Sequence, residues 1–88
     1  METETRVALI GIIVEEKLAI DALNTLLHEY SPYIIGRMGL PYKQKNISII
    51  SVVVDAPQDI ISTFSGKIGR LPGLTAKTSY AKMPEKES

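Results

Sequence analysis

Two stretches of this chain, residues 7–14 and 47–54, are almost continuously apolar and rich in β-branched side chains. A strand with one wet face alternates apolar and polar residues, so these two predict strands with both faces buried. After the first of them the period changes. Ala19, Ala22, Leu23, Leu26, Leu27 and Tyr30 recur at helical spacing, with Asp21, Asn24, Thr25, His28 and Glu29 on other faces. The first strand is predicted over residues 5–14. Glu15 and Glu16 are expected at the start of the helix, where its dipole favours negative charge, and Ser31-Pro32 ends it.

Residues 33–40 predict a weaker strand. It contains Gly36 and Gly39 and is bracketed by Pro32 and Pro41, which suits a sheet edge. Residues 41–46 form a polar hairpin turn into a third strand over 47–55. Ala56-Pro57-Gln58-Asp59 opens a second helix whose apolar face is Ile60, Ile61, Phe64, Ile68 and Leu71, and Leu71-Pro72-Gly73 stops it. Gly66 and Gly69 weaken its late turns, which are expected to be distorted or tightly packed. A fourth strand follows over 74–81, and the polar tail 83–88 is expected to be disordered.

The order β-α-β-β-α-β predicts an α+β, ferredoxin-like fold: a four-stranded antiparallel sheet, ordered 4-1-3-2, with two helices on one face. Its central strands are the first and third, the two that read as apolar on both faces. Two helices cover only one face of such a sheet. A second copy of the chain is the expected cover for the other, which predicts a homo-oligomer, dimer or tetramer.

With 88 residues the chain is expected to be one domain, 1–88, ordered over about 5–82. Ten basic and ten acidic residues give zero net charge, which argues against a nucleic-acid partner. There is no cysteine, so disulfides, thiolate zinc sites, iron–sulfur ligation and cysteine nucleophiles are excluded together. The start Met1-Glu2-Thr3-Glu4 is acidic where a signal peptide is basic, and the apolar runs are far shorter than the ~20 residues of a membrane helix. A cytoplasmic protein without a membrane association is expected.

A ferredoxin-like fold does not specify an activity. The Cys-x-x-Cys of a metallochaperone is missing, the first and third strands lack the stacking aromatics of an RNA-binding sheet, and the loop after the first strand lacks the arginine and glycine of an acylphosphatase. His28 is the single histidine, so no closed metal site forms within one chain, although copies of His28 could meet across an interface. Gly66-Lys67-Ile68-Gly69 lies within a helical pattern and is not a phosphate loop. Catalytic residues, metal ligands and cofactors are therefore expected to be absent.

What remains is Arg37, Tyr33 and Tyr42, with Lys43 and Lys45, on and after the edge strand. This cluster is either a solvated edge that resists strand-to-strand aggregation or an anion-binding rim. In the second reading Arg37 contacts a small anionic ligand and the tyrosines add hydroxyls. Tyr33, Ile35 and Arg37 are expected on one sheet face.

Residues 6–15, 27–30, 33–42, 47–57 and 65–73 together, including Ile-Ile-Gly-Arg-Met-Gly and Ser-Gly-Lys-Ile-Gly, resemble a small family of iron-only hydrogenase system regulators from anaerobic bacteria. The resemblance covers about residues 5–82. It implies an ACT-like ferredoxin fold, related in shape to the C-terminal ligand-binding domain of the nickel-responsive repressor. That repressor also carries a ribbon-helix-helix and metal-binding histidines and a cysteine, none of which this sequence matches. The resemblance implies an association with hydrogenase maturation, and together with the residues it leads to the expectation of a non-enzymatic regulatory or ligand-sensing module that self-associates through its sheet. The alternatives are a small enzyme whose active site is completed between subunits and a DNA-binding transcriptional regulator.

Overall fold

The computed structural model describes residues 4–82. The expected tail disorder over 83–88 and the acidic start at 1–3 lie outside the described residues. Four strands, β1 (Arg6–Val14), β2 (Ile34–Tyr42), β3 (Ile47–Ala56) and β4 (Leu74–Tyr80), alternate with α1 (Leu18–Glu29) and α2 (Gln58–Gly69) in the expected order. All pairings are antiparallel and the sheet order is β2-β3-β1-β4. The two continuously apolar strands are the central pair, as their composition requires.

One face of the sheet is closed. Ala8, Ile10, Ile12 and Val14 of β1 and Ile50, Val52 and Val54 of β3 are buried in one core with Leu23, Leu26 and Leu27 of α1 and Ile61, Phe64 and Ile68 of α2. Both helices therefore sit on this face. The apolar faces of α1 and α2 recur at helical spacing because each must present one stripe to a flat sheet. Tyr30 stacks on Phe64, centroids 4.3 Å apart, and closes the core where α1 ends. Outside it, Lys67 approaches Glu29 at 3.7 Å, and Tyr30 together with the Glu29 carboxylate holds the Lys67 ammonium above its ordinary range. At the other end of α2, Gln58 accepts from Arg6 at 2.6 Å and donates to the Tyr80 hydroxyl at 2.8 Å, tying the helix start to β1 and β4.

Element ends differ from the sequence expectation in four places. Glu15 and Glu16 precede α1 instead of starting it: their N–H groups donate to the Gly73 carbonyl at 2.8 and 3.1 Å, and Asp21 is the acidic residue in the first turn. Tyr33 belongs to a 3₁₀ turn, Ser31–Tyr33, and not to β2. The strand instead continues through Pro41 and Tyr42, since an edge strand lacks a ladder on one side and tolerates a residue with no N–H. Finally, α2 is helical through Gly69, and a side chain at Gly66 or Gly69 would meet no tight contact. Neither glycine marks close packing.

Gly73 is different. It adopts φ of +86°, and a Cβ there would lie 2.9 Å from the Glu16 Cβ while its carbonyl holds both Glu15 and Glu16. Gly73→Ala should cost about 2–3 kcal/mol, combining a disfavoured backbone region with a clash that displaces the β1–α1 loop. Urea unfolding should show the lower midpoint; an unchanged midpoint would mean that the loop is not held at this turn.

Candidate functional site

The opposite sheet face is built differently. Val7, Leu9, Gly11 and Ile13 of β1 point away from the helices, each opposite a residue of β3 in the sequence Asp55, Val53, Ser51, Ile49. β2 adds Met38 beside Ser51 and Leu40 beside Ile49, and Tyr42 ends the row beside Ile47. Leu9 is 47% exposed, Ile13 41%, Met38 69% and Leu40 59%. Large apolar side chains thus lie on the outer face of β1, whose inner residues are fully buried, and continue onto the edge strand β2. Their arrangement has relief. Gly11 and Ser51 form a low central row between a ridge of Leu9 and Val53 and a ridge of Ile13 and Ile49. A hollow of about 290 Å³ lies beside Gly11 towards β4, between Ile13, Ile49, Thr75 and Lys77.

Arg37 is on the helix side. The β2–β3 register shifts between Ile34, opposite Val54, and Gly36, opposite Val53, so Ile35 is an extra residue. Such a bulge reverses the alternation beyond it. Arg37 consequently lies opposite the buried Val52, on the face covered by α1, and its Nη2 donates to Asn24 Oδ1 of α1 at 3.3 Å. The alternation expected across residues 33–37, with Tyr33, Ile35 and Arg37 on one face, does not hold, because a bulge carries no clear signal in a segment where Gly36 follows two isoleucines.

The three residues singled out on the edge are therefore apart. Arg37 faces α1. Tyr42 ends β2 on the outer, apolar face. Tyr33 is half-buried in the 3₁₀ turn, its ring 6.3 Å from that of Tyr30. In place of the tyrosines, α1 brings Asn24 and His28 towards Arg37. These two, with Leu27, Ser31 and Ile34, line a hollow of about 400 Å³ beside the guanidinium. The spacing of Asn24 and His28, one helical turn apart, was the available signal, but it gains meaning only once β2 is known to lie beneath. On the other side of Arg37 a second hollow, about 300 Å³, is bounded by Ile20, Asn24, Gly39, Pro41 and Ile50.

A further hollow, about 380 Å³, separates the start of α1 from the β2–β3 turn; it mixes Glu16 and Asp21 with Lys17 and Lys43, so it favours neither sign of charge. Among the described residues, no cluster of three or more histidine, cysteine, aspartate or glutamate side chains could hold a metal ion. Among them, too, no helix is long and apolar enough to cross a membrane.

The pattern of the TM1266-like family, described as candidate iron-only hydrogenase system regulators, matches residues 6–78. Among solved structures, the uncharacterized protein TM1266 from Thermotoga maritima is similar at 35% identity with a TM-score of 0.86; the match covers 90% of this chain and 100% of that one. A comparison with curated proteins gives no match.

Proposed function

The chain belongs to the TM1266-like family, and from that membership we propose that it is a non-enzymatic regulatory module that self-associates through its open sheet face and senses a small anionic ligand. The description of the family supports the regulatory role and its link to the hydrogenase system. Self-association rests on one observation: the ridged apolar face opposite a complete core. Four side chains such as Leu9, Ile13, Met38 and Leu40, each still largely in water, would contribute several kcal/mol on burial at ~1.5–3 kcal/mol each. Two copies related by a two-fold axis can set the Leu9–Val53 ridge of one into the Gly11–Ser51 row of the other, which is the self-complementarity an isologous interface needs. Arg37 is the ligand contact of this reading, and the setting is the cytoplasm; Tyr33 in its 3₁₀ turn and Tyr42 on the outer face lie apart from that contact.

Sedimentation equilibrium tests it. The unmodified chain should be a dimer or tetramer at micromolar concentration, and Leu9→Asp should be a folded monomer, because the aspartate is solvated in the free subunit and desolvated in the assembly. Gly11→Leu fills the central row without disturbing the subunit, since a Cβ there meets nothing within 4 Å, and should weaken assembly as well. A monomeric unmodified chain, or variants that assemble unchanged, would sink the proposal.

A further inference from the structure

The two hollows flanking Arg37 share Asn24 and the guanidinium, so they form one groove between α1 and β2. The groove exists because α1 covers β3 and β1 but leaves β2 open: Arg37, Gly39 and Pro41 are all exposed although they lie on the helix side of the sheet. Its two halves differ in chemistry. One end carries the donors of Asn24, His28 and Ser31. The other is mainly apolar, with Ile20, Pro41 and Ile50 beside the hydroxyl of Ser48, and widens at Gly39, where a Cβ would meet nothing within 4 Å. Among the described residues no carboxylate lines either hollow, and Arg37 is the one fixed cation that does, so it is not neutralised there. Its single side-chain hydrogen bond among the described residues is to the neutral Asn24, which leaves the rest of its planar fork available.

We propose that this groove binds a small organic carboxylate with an apolar body. The carboxylate sits on Arg37, where a guanidinium gives bidentate geometry, with His28 and Ser31 on the same side. The body lies towards Ile20, Pro41 and Ile50. A single fixed positive charge suits a monoanion better than a phosphate. This deepens the assignment of Arg37 as an anion contact and rests on it. It replaces Tyr33 and Tyr42 by Asn24, His28 and Gly39 as the residues that shape the site.

The test uses the purified full chain with hexanoate, acetate and inorganic phosphate as probes, reading the midpoint of thermal unfolding, with sedimentation run in parallel on every variant. Hexanoate at ten times its dissociation constant should raise Tm by roughly 8 °C. Acetate should need roughly tenfold higher concentration or more, because it lacks the methylenes that the apolar half covers. Arg37→Ala should abolish the response while leaving assembly intact. Gly39→Leu, which fills the apolar half, should abolish the hexanoate response and spare that to acetate. If hexanoate stabilises Arg37→Ala as well as the unmodified chain, it binds elsewhere and the inference is wrong. If phosphate matches hexanoate and needs Arg37, the anion contact stands but the carboxylate with an apolar body is overturned. If no probe gives an Arg37-dependent shift, both fall, while the assembly measured by sedimentation is judged separately.

Discussion

Ile10→Asp should leave no folded protein, whereas Leu9→Asp, one residue earlier on the same strand, should leave a folded subunit. Ile10 is fully buried, opposite Val52 on β3 and Thr78 on β4, beneath both helices. The substitution removes a branched aliphatic side chain from the centre of the core and asks a carboxylate to lose its water without a partner. The two effects together cost on the order of 5 kcal/mol or more, comparable to the whole stability of a small domain. Circular dichroism and the loss of a cooperative thermal transition check the outcome. Ile10→Val keeps the apolar surface and should cost only ~1 kcal/mol. A soluble, cooperatively folding Ile10→Asp would show that the inner face of β1 is not the core face.

Phe64→Ala should be the most damaging truncation in the helices. The ring is fully buried in α2 and stacks on Tyr30 with an interplanar angle of 20°, so it joins the end of α1 to the middle of α2. Large aromatic deletions of this kind cost about 3–5 kcal/mol, and the lost stacking adds to the cavity. Phe64→Leu fills most of the space and should cost about half as much. Urea unfolding must be compared at one fixed subunit concentration, because assembly adds a concentration-dependent term. Equal midpoints for Phe64→Ala and the unmodified chain would place the centre of packing between the helices elsewhere.

The element order, the central position of β1 and β3 and the two-helix cover were legible in the residues alone. They follow from local periodicity: residues 7–14 and 47–54 are almost continuously apolar, and α1 and α2 repeat every three or four residues. The likeness to iron-only hydrogenase regulators was legible as well, and the family match over residues 6–78 agrees with it. What sequence periodicity could not say was which half of each continuous run faces the helices. Ile10 and Leu9 look equivalent in a list of aliphatics; only pairing and helix placement make the first core and the second surface.

The site shows the same division more sharply. Arg37 stood out in the sequence because it is a cation between two glycines on an edge strand. Its neighbours did not, since Asn24 and His28 read simply as the polar side of α1. A single extra residue, Ile35, turns Arg37 towards that helix instead of towards Tyr33, and a three-residue 3₁₀ turn removes Tyr33 from the strand. Side-chain direction in a strand has a period of two, so one inserted residue inverts every later assignment. By itself the sequence determined the elements, their order and the residue types available. Which of those residues meet was decided by register, bulge and helix placement, because these depend on contacts between segments far apart along the chain.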